Sequence, residues 1–368
     1  MRFLTMLTRR WTTFAPIVAV VVLAVAWGLE IGGIIATVVA AVLALAVFSA
    51  VHHAEVVAHK VGEPFGSLVL AVAVTVIEVG LIVMLMLSAP DAAESALARD
   101  TVFAAFIITC NGIVGISILA GALRFATPRF NAEGTGAALS TVAVLATICL
   151  ILPSVTESAH GQVYTTSQLM FAAIAALVLW GSYVFTQTVR HRDFFLPVDQ
   201  ATGRPIDSAD THADPPTDRA ALTSLGLLLL ALIAVVGLAK LLGPTIESGV
   251  AKAGMPQAVV GVVIAALVLL PESIAAVRAA MRNRMQVSLN LAYGSAMASI
   301  GLTVPTIAFL SPLFDTKLVL GLDNTGIVLA VLTVLTGILT VVPGRTTRLQ
   351  GVVHLVILGA YVVLTITP

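Results

Sequence analysis

Two carboxylates are the first residues to examine. Glu78 falls inside the apolar run Gly66–Ser88, and Glu272 inside the run Met255–Ala280. Of nineteen acidic residues, only these two lie within apolar runs long enough to cross a bilayer. A charge at the centre of a bilayer costs at least ~2.5–3.5 kcal/mol on insertion scales, and such residues mark ion or proton sites by default. The plainer alternative is a protonated glutamate hydrogen-bonded between helices, or one near a helix end. It serves for one glutamate and less well for two at matching places.

Other polar groups lie at similar depth. Asn111, followed by Gly112, stands at the middle of the run Thr101–Leu123. An amide there must find partners, so Asn111 is either a neutral oxygen ligand or a connector between helices. Gly294, Ser295, Ala296, Ala298, Ser299 and Gly301 share one run. Small residues let helices pack closely, and they also let Ser295 or Ser299 approach an ion, Ser299 being nearer the midpoint. Pro271 precedes Glu272 and removes one backbone donor. It marks either a helix break that turns carbonyls near Leu267 and Val268 into ligands or a simple kink. No proline or glycine stands just before Glu78; Thr75 stands there instead and joins the candidate set.

Carboxylates, amide, hydroxyls and carbonyls make an all-oxygen site, which suits a hard cation. Neither Cys nor His lies beside Glu78 or Glu272 in the sequence, which argues against zinc or copper. Two carboxylates neutralise one Ca²⁺, or equally two protons. Left empty, the pair would carry two charges in a low-dielectric setting and resist crossing. The pair should also titrate as a unit. That competition suffices for exchange: the site crosses loaded with Ca²⁺ and returns loaded with protons. A second reading is Na⁺ or K⁺ against protons, with one carboxylate staying protonated. A membrane enzyme acting on lipid would need a nucleophile–base pair or an aspartate-rich metal motif, and neither occurs. A channel fits poorly, because paired buried acids favour slow, tight binding. No resident cofactor is implied.

The elements that must position these groups are membrane helices. The chain has 368 residues, 59% of them hydrophobic and only 10% charged, against about 25% charged in average soluble domains. This excludes an ordinary soluble enzyme, a disordered chain and a basic nucleic-acid binder. Cys110 and Cys149 each sit in an apolar run, so no disulfide framework is expected. Apolar runs predict an all-α integral membrane protein with eleven spans: Thr13–Leu29, Ile31–Val51, Gly66–Ser88, Thr101–Leu123, Gly136–Pro153, Ser167–Val189, Ala221–Leu242, Met255–Ala280, Val287–Ser311, Asn324–Val342 and Leu349–Thr367. With a cytoplasmic N-terminus, the cytoplasmic segments carry fifteen Lys and Arg and the outer segments four, as the positive-inside rule requires.

The organisation that follows is an extra N-terminal helix (1–30), a five-helix repeat (31–189), a hydrophilic cytoplasmic linker (190–219) and a second five-helix repeat (220–368). The repeats share an order of features. Gly62-Glu63-Pro64 leads to Glu78, and Gly254-Met255-Pro256 leads to Glu272. An odd number of spans per repeat makes the two inverted, which is a transporter architecture. The linker holds six Asp and several Pro but lacks EF-hand spacing. His52, Glu55 and His59, after the second span, share a helix face. They read as a solvated helix end or as a sensor of cytoplasmic pH. His160 and His354 read as incidental.

The runs "GEPFGSLVLAVAVTVIEVGLI" and "PESIAAVRAA…NLAYGSAMASIGLTVP" resemble the two repeat blocks of ChaA-type Ca²⁺/H⁺ antiporters in the cation/Ca²⁺ exchanger superfamily. The resemblance implies ten core helices in two inverted repeats, with Glu78 and Glu272 binding cation and protons. It maps the family's polar residue of the following helix onto Asn111 and onto Ser295–Ser299. It also implies a bacterial inner-membrane location, with Ca²⁺ and H⁺ as the transported partners. Na⁺, K⁺ and association of identical copies stay open. The sequence departs from the wider superfamily at the residues before each glutamate, where Thr75-Val76-Ile77 and Leu269-Leu270-Pro271 replace a Gly-Asn pair.

Overall fold

The structure, a computed structural model, describes residues 2–29, 31–62, 65–88, 96–159, 161–200, 202, 216–311 and 318–368. Glu63, Pro64, His160 and residues 201 and 203–215 of the hydrophilic linker lie outside the described residues. The eleven expected spans are found as eleven helices: α1 Arg2–Ala26, α2 Gly33–Val61, α3 Phe65–Ser88, α4 Leu97–Phe125, α5 Ala132–Val155, α6 Thr166–Arg190, α7 Asp218–Lys252, α8 Ala258–Met281, α9 Met285–Leu310, α10 Asn324–Val341 and α11 Arg348–Ile366. Among the described residues, nine are long and apolar enough to cross a membrane, and α1 and α3 contain the shorter apolar stretches Trp11–Ala26 and Val72–Met84. The described residues contain no strand; two isolated bridges, Arg129 with Arg345 and Val163 with Val319, pin loops together.

Helix ends follow capping chemistry that apolar runs do not reveal. Thr165 with Gln168 and Thr347 with Gln350 form capping boxes at α6 and α11. Asn131 accepts from the amides of Glu133 and Gly134 at α5, and Asp323 from that of Gly326 at α10. Two helices run ten residues past the C-terminal ends of their apolar runs, α2 past Val51 and α7 past Leu242, which brings Glu247 into a helix.

The chain forms two compact units, residues Met1–Ala92 with Ala213–Gly254, and Ala93–His212 with Met255–Pro368. In the first, α7 packs against α1, α2 and α3. Glycines allow the closest approaches: Gly80 of α3 lies against Val236, and Gly237 against Leu23 of α1. In the second, α4 packs against α8, α9 and α11, while α5 packs against α9 and α10.

Three of the second unit's helices change pitch. Residues Ile108–Ile113 of α4, Thr147–Ile151 of α5 and Thr186–Arg190 of α6 are π-helical, a wider winding often found at functional positions. A fourth helix, α9, is interrupted at Leu302. The chain after α6 also departs from the expected solvated linker. Arg192–Phe195 forms a short 3₁₀ turn; Phe195 is buried edge-on against Tyr183, and its carbonyl accepts from Asn290 Nδ2 at 2.7 Å. Gln200 then brackets the backbone of Arg129, accepting from its amide at 2.8 Å and donating to its carbonyl at 3.2 Å. Aromatic residues here bury enough apolar area to hold a short segment down.

Candidate functional site

In the first unit the candidate residues are Thr75 and Glu78, one turn apart on α3. Both are buried, Glu78 to 2% exposure. Apolar neighbours on the same helix (Ile77, Leu81 and Ile82) are buried with it. Two residues on, and on another face of the helix, Gly80 closes against Val236 of α7. The helix is continuous from Phe65 to Ser88.

In the second unit α4, α8 and α9 are mutual neighbours, and they carry Asn111, Glu272 and the Ser295–Ser299 pair. Glu272 is half-buried, whereas Asn111 and Ser299 are buried and Ser295 is half-buried. The helix break expected at Pro271 is absent. α8 runs unbroken from Ala258 to Met281 with Pro271 inside it. A proline costs one backbone bond and frees the carbonyl four residues earlier, here Leu267, but neighbouring turns can carry the helix across. Ser273 Oγ bonds the Leu269 carbonyl at 2.6 Å.

The break lies in α9 instead. Leu302 separates Met285–Gly301 from Thr303–Leu310, three residues after Ser299. Thr303, one turn beyond Ser299, is fully buried, and its Oγ1 has no hydrogen-bond partner among the described residues. Sequence reading passed Thr303 over. The signal was Pro305, which withholds a donor from the Gly301 carbonyl, with two hydroxyls spaced four apart just before it.

Asn111 sits in the π-helical stretch of α4 and is tied on both sides. Its Nδ2 donates to Thr333 Oγ1 of α10 at 2.8 Å. Its Oδ1 lies 3.0 Å from Nδ1 of His354 on α11, whose Nε2 lies 3.0 Å from Thr340 Oγ1 of α10. A lone histidine in an apolar run gave no warning of this: Asn111's partners, Thr333 and His354, stand more than two hundred residues away in sequence.

His52, Glu55 and His59 share the exposed face of α2, and His59 is followed by Lys60, which pairs with Asp218 at 2.6 Å. The neighbouring His53 is buried, with Nε2 3.0 Å from the Thr12 carbonyl, which Ser49 Oγ also bonds at 2.6 Å. Of the linker's carboxylates, Asp199 caps a turn through Thr202 at 2.7 Å. At the ends of α4, α8, α10 and α11 a cavity of about 140 Å³ is lined by Asp100, Asp323, Arg99, Thr325 and Tyr361. Arg99 bonds Asp100 at 2.8 Å and the Gly321 carbonyl at 3.2 Å. Among the described residues, no three His, Cys, Asp or Glu converge as a metal cluster.

Comparison with known proteins gives three kinds of likeness. The family model described as sodium/calcium exchanger protein matches residues 15–189 and 223–367. The y4hA protein of Sinorhizobium fredii is 44% identical over 329 residues, covering 89% of this chain and 88% of that one. The sodium-potassium/proton antiporter ChaA of Escherichia coli is 33% identical over 314 residues, covering 85% and 84%. Among solved structures, the H⁺/Ca²⁺ exchanger CAX superposes with a TM-score of 0.69 at 13% identity, over 96% of this chain and 91% of that one. This last likeness is one of fold.

Proposed function

The chain belongs to the sodium/calcium exchanger family, and from that premise we propose that it is a cation/proton antiporter of the bacterial inner membrane that exports Ca²⁺ in exchange for protons. Glu78 and Glu272 carry the cation or the protons. Oxygen from Asn111, Ser299, Ser295 and Thr75 completes the shell. The two five-helix repeats, inverted with respect to each other and with the N-terminus cytoplasmic, alternate access to it.

The observation that carries this reading is the burial of Glu78, at 2% exposure, in the middle of an apolar helix. A carboxylate at such depth is costly, and intramembrane acidic groups mark ion or proton pathways. Ca²⁺ satisfies two carboxylates at once, and its flexible coordination of six to eight oxygens accepts hydroxyls and carbonyls.

A second reading keeps the same residues and exchanges Na⁺ or K⁺ for protons. It is favoured by the sodium-potassium/proton antiporter among the relatives. The test is proton movement in everted vesicles driven by Ca²⁺, Na⁺ or K⁺, with wild type, Glu78→Gln and Glu272→Gln. Loss of the signal in both variants is expected. Wild-type exchange in both would remove the site assignment, and a response to Na⁺ with none to Ca²⁺ would promote the second reading.

A further inference from the structure

We propose that His354 is a positioning residue for exchange: together with Thr333 and Thr340 it fixes which end of the Asn111 side chain is the oxygen. This rests on the reading of Asn111 as an oxygen donor in the antiporter proposed above. An amide has two nearly isosteric ends, one attractive and one repulsive to a cation, so a ligand of this kind needs its orientation held.

The donors and acceptors settle that orientation in sequence. Thr333 Oγ1 spends its single proton on the Leu329 carbonyl at 2.7 Å. Towards Asn111 it can therefore only accept, so the group 2.8 Å away is the amide nitrogen. The amide oxygen then faces His354 at 3.0 Å. An amide oxygen only accepts, so Nδ1 carries the ring proton. In a neutral ring Nε2 is then an acceptor, and the Thr340 hydroxyl, 3.0 Å away, supplies its hydrogen. Each bond forces the next, from the Leu329 carbonyl through Thr333, Asn111 and His354 to Thr340. All four side chains are at most 2% exposed, so water does not compete for these bonds.

The helices are shaped to allow this. A Cβ on Gly115, one turn after Asn111, would lie 3.0 Å from His354 Cβ, and one on Gly351 would lie 3.0 Å from the Gly115 carbonyl. Two glycines thus let α4 and α11 close to bonding distance. After the four bonds, the amide oxygen's second lone pair is capacity left over for a cation.

Thr340 is the informative position because it lies two bonds from Asn111. Without its hydroxyl the Nε2 lone pair loses its donor, so the Nδ1–H form gives up part of its advantage over Nε2–H and the amide's orientation rests on Thr333 alone. Groups that orient a metal ligand typically matter by 10–100-fold in affinity. The experiment compares full-length wild type, Thr340→Val and Thr340→Ser in proteoliposomes, measuring KM and kcat of cation-driven proton flux. It also reads the histidine tautomers by ¹⁵N NMR, with the His354 signal identified by its loss in His354→Gln. Wild type and Thr340→Ser should show the Nδ1–H form. Thr340→Val should shift towards Nε2–H and raise KM about tenfold, with kcat changed less. Wild-type exchange with an unchanged KM in Thr340→Val overturns this proposal alone, as does an equal loss in Thr340→Ser. A wild type that moves no cation overturns the antiporter reading as well.

Discussion

At the scale of single residues, Glu78 and Glu272 differ in setting, one enclosed by α3 and its neighbours and the other half-buried. Glutamine keeps the shape and removes the charge, so each Gln variant should lose ten-fold or more in cation-driven proton flux, the scale expected for a cation ligand or its support. The enclosed position leaves less room for water to substitute, so Glu78→Gln should be the more complete loss in the same vesicle assay. The surface pair behaves differently. Lys60 and Asp218 are 34% and 86% exposed, and exposed pairs contribute about 0–1 kcal/mol. Lys60→Ala should shift the thermal midpoint by no more than a degree or two, as about 1 kcal/mol does in a large domain. The sequence singles out both glutamates as candidates because carboxylates in apolar runs are rare and costly. The amide's partners were not legible, because they depend on which distant helices pack together, and no local pattern around His354 encodes that.

Helices show where close packing is obligatory. A Cβ on Gly80 would come within 2.5 Å of Val236 Cγ2, and a β-branched side chain on a helix has little rotamer freedom with which to yield. Gly80→Ala should cost about 1–3 kcal/mol by overpacking, read as a lower midpoint in detergent, and Val236→Ala should restore it. The loop between α5 and α6 supplies a pH test. Tyr164 Oη donates to the Ile148 carbonyl at 2.7 Å, and burial pushes its phenol up to about 12. Its ordinary value is about 10, so the folded state holds this proton more tightly. The stability it contributes is complete below about pH 10 and is lost as pH rises to about 12. Wild type should destabilise over that interval relative to Tyr164→Phe. All eleven helices were legible, since length and apolarity decide membrane spans. Their irregularities were not. Proline at 271 pointed to a break that neighbouring turns bridge, Pro305 was the overlooked signal for the break at Leu302, and no proline marks the change of pitch at Asn111.

For the molecule as a whole, the charge bias predicts sidedness. Cys110 and Cys149 are both buried, so native thiols should give little background in labelling. A cysteine replacing Arg129 or Arg345 should react only from the cytoplasmic side, and one replacing Lys252 only from outside. The opposite pattern would invert the orientation drawn from the fifteen-to-four split. The length of α7 has a consequence of its own. Thirty-five residues make a rod of roughly 52 Å at 1.5 Å per residue, well beyond the ~30 Å of hydrocarbon it must cross. The surplus lies at the Lys252 end, where Glu247 sits. Longer acyl chains would draw that acidic turn towards the hydrocarbon or tilt the rod, at a fraction of a kcal/mol per Å. Exchange measured across lipids of graded chain length should therefore have an optimum, set by the one helix that packs against α1, α2 and α3 alike.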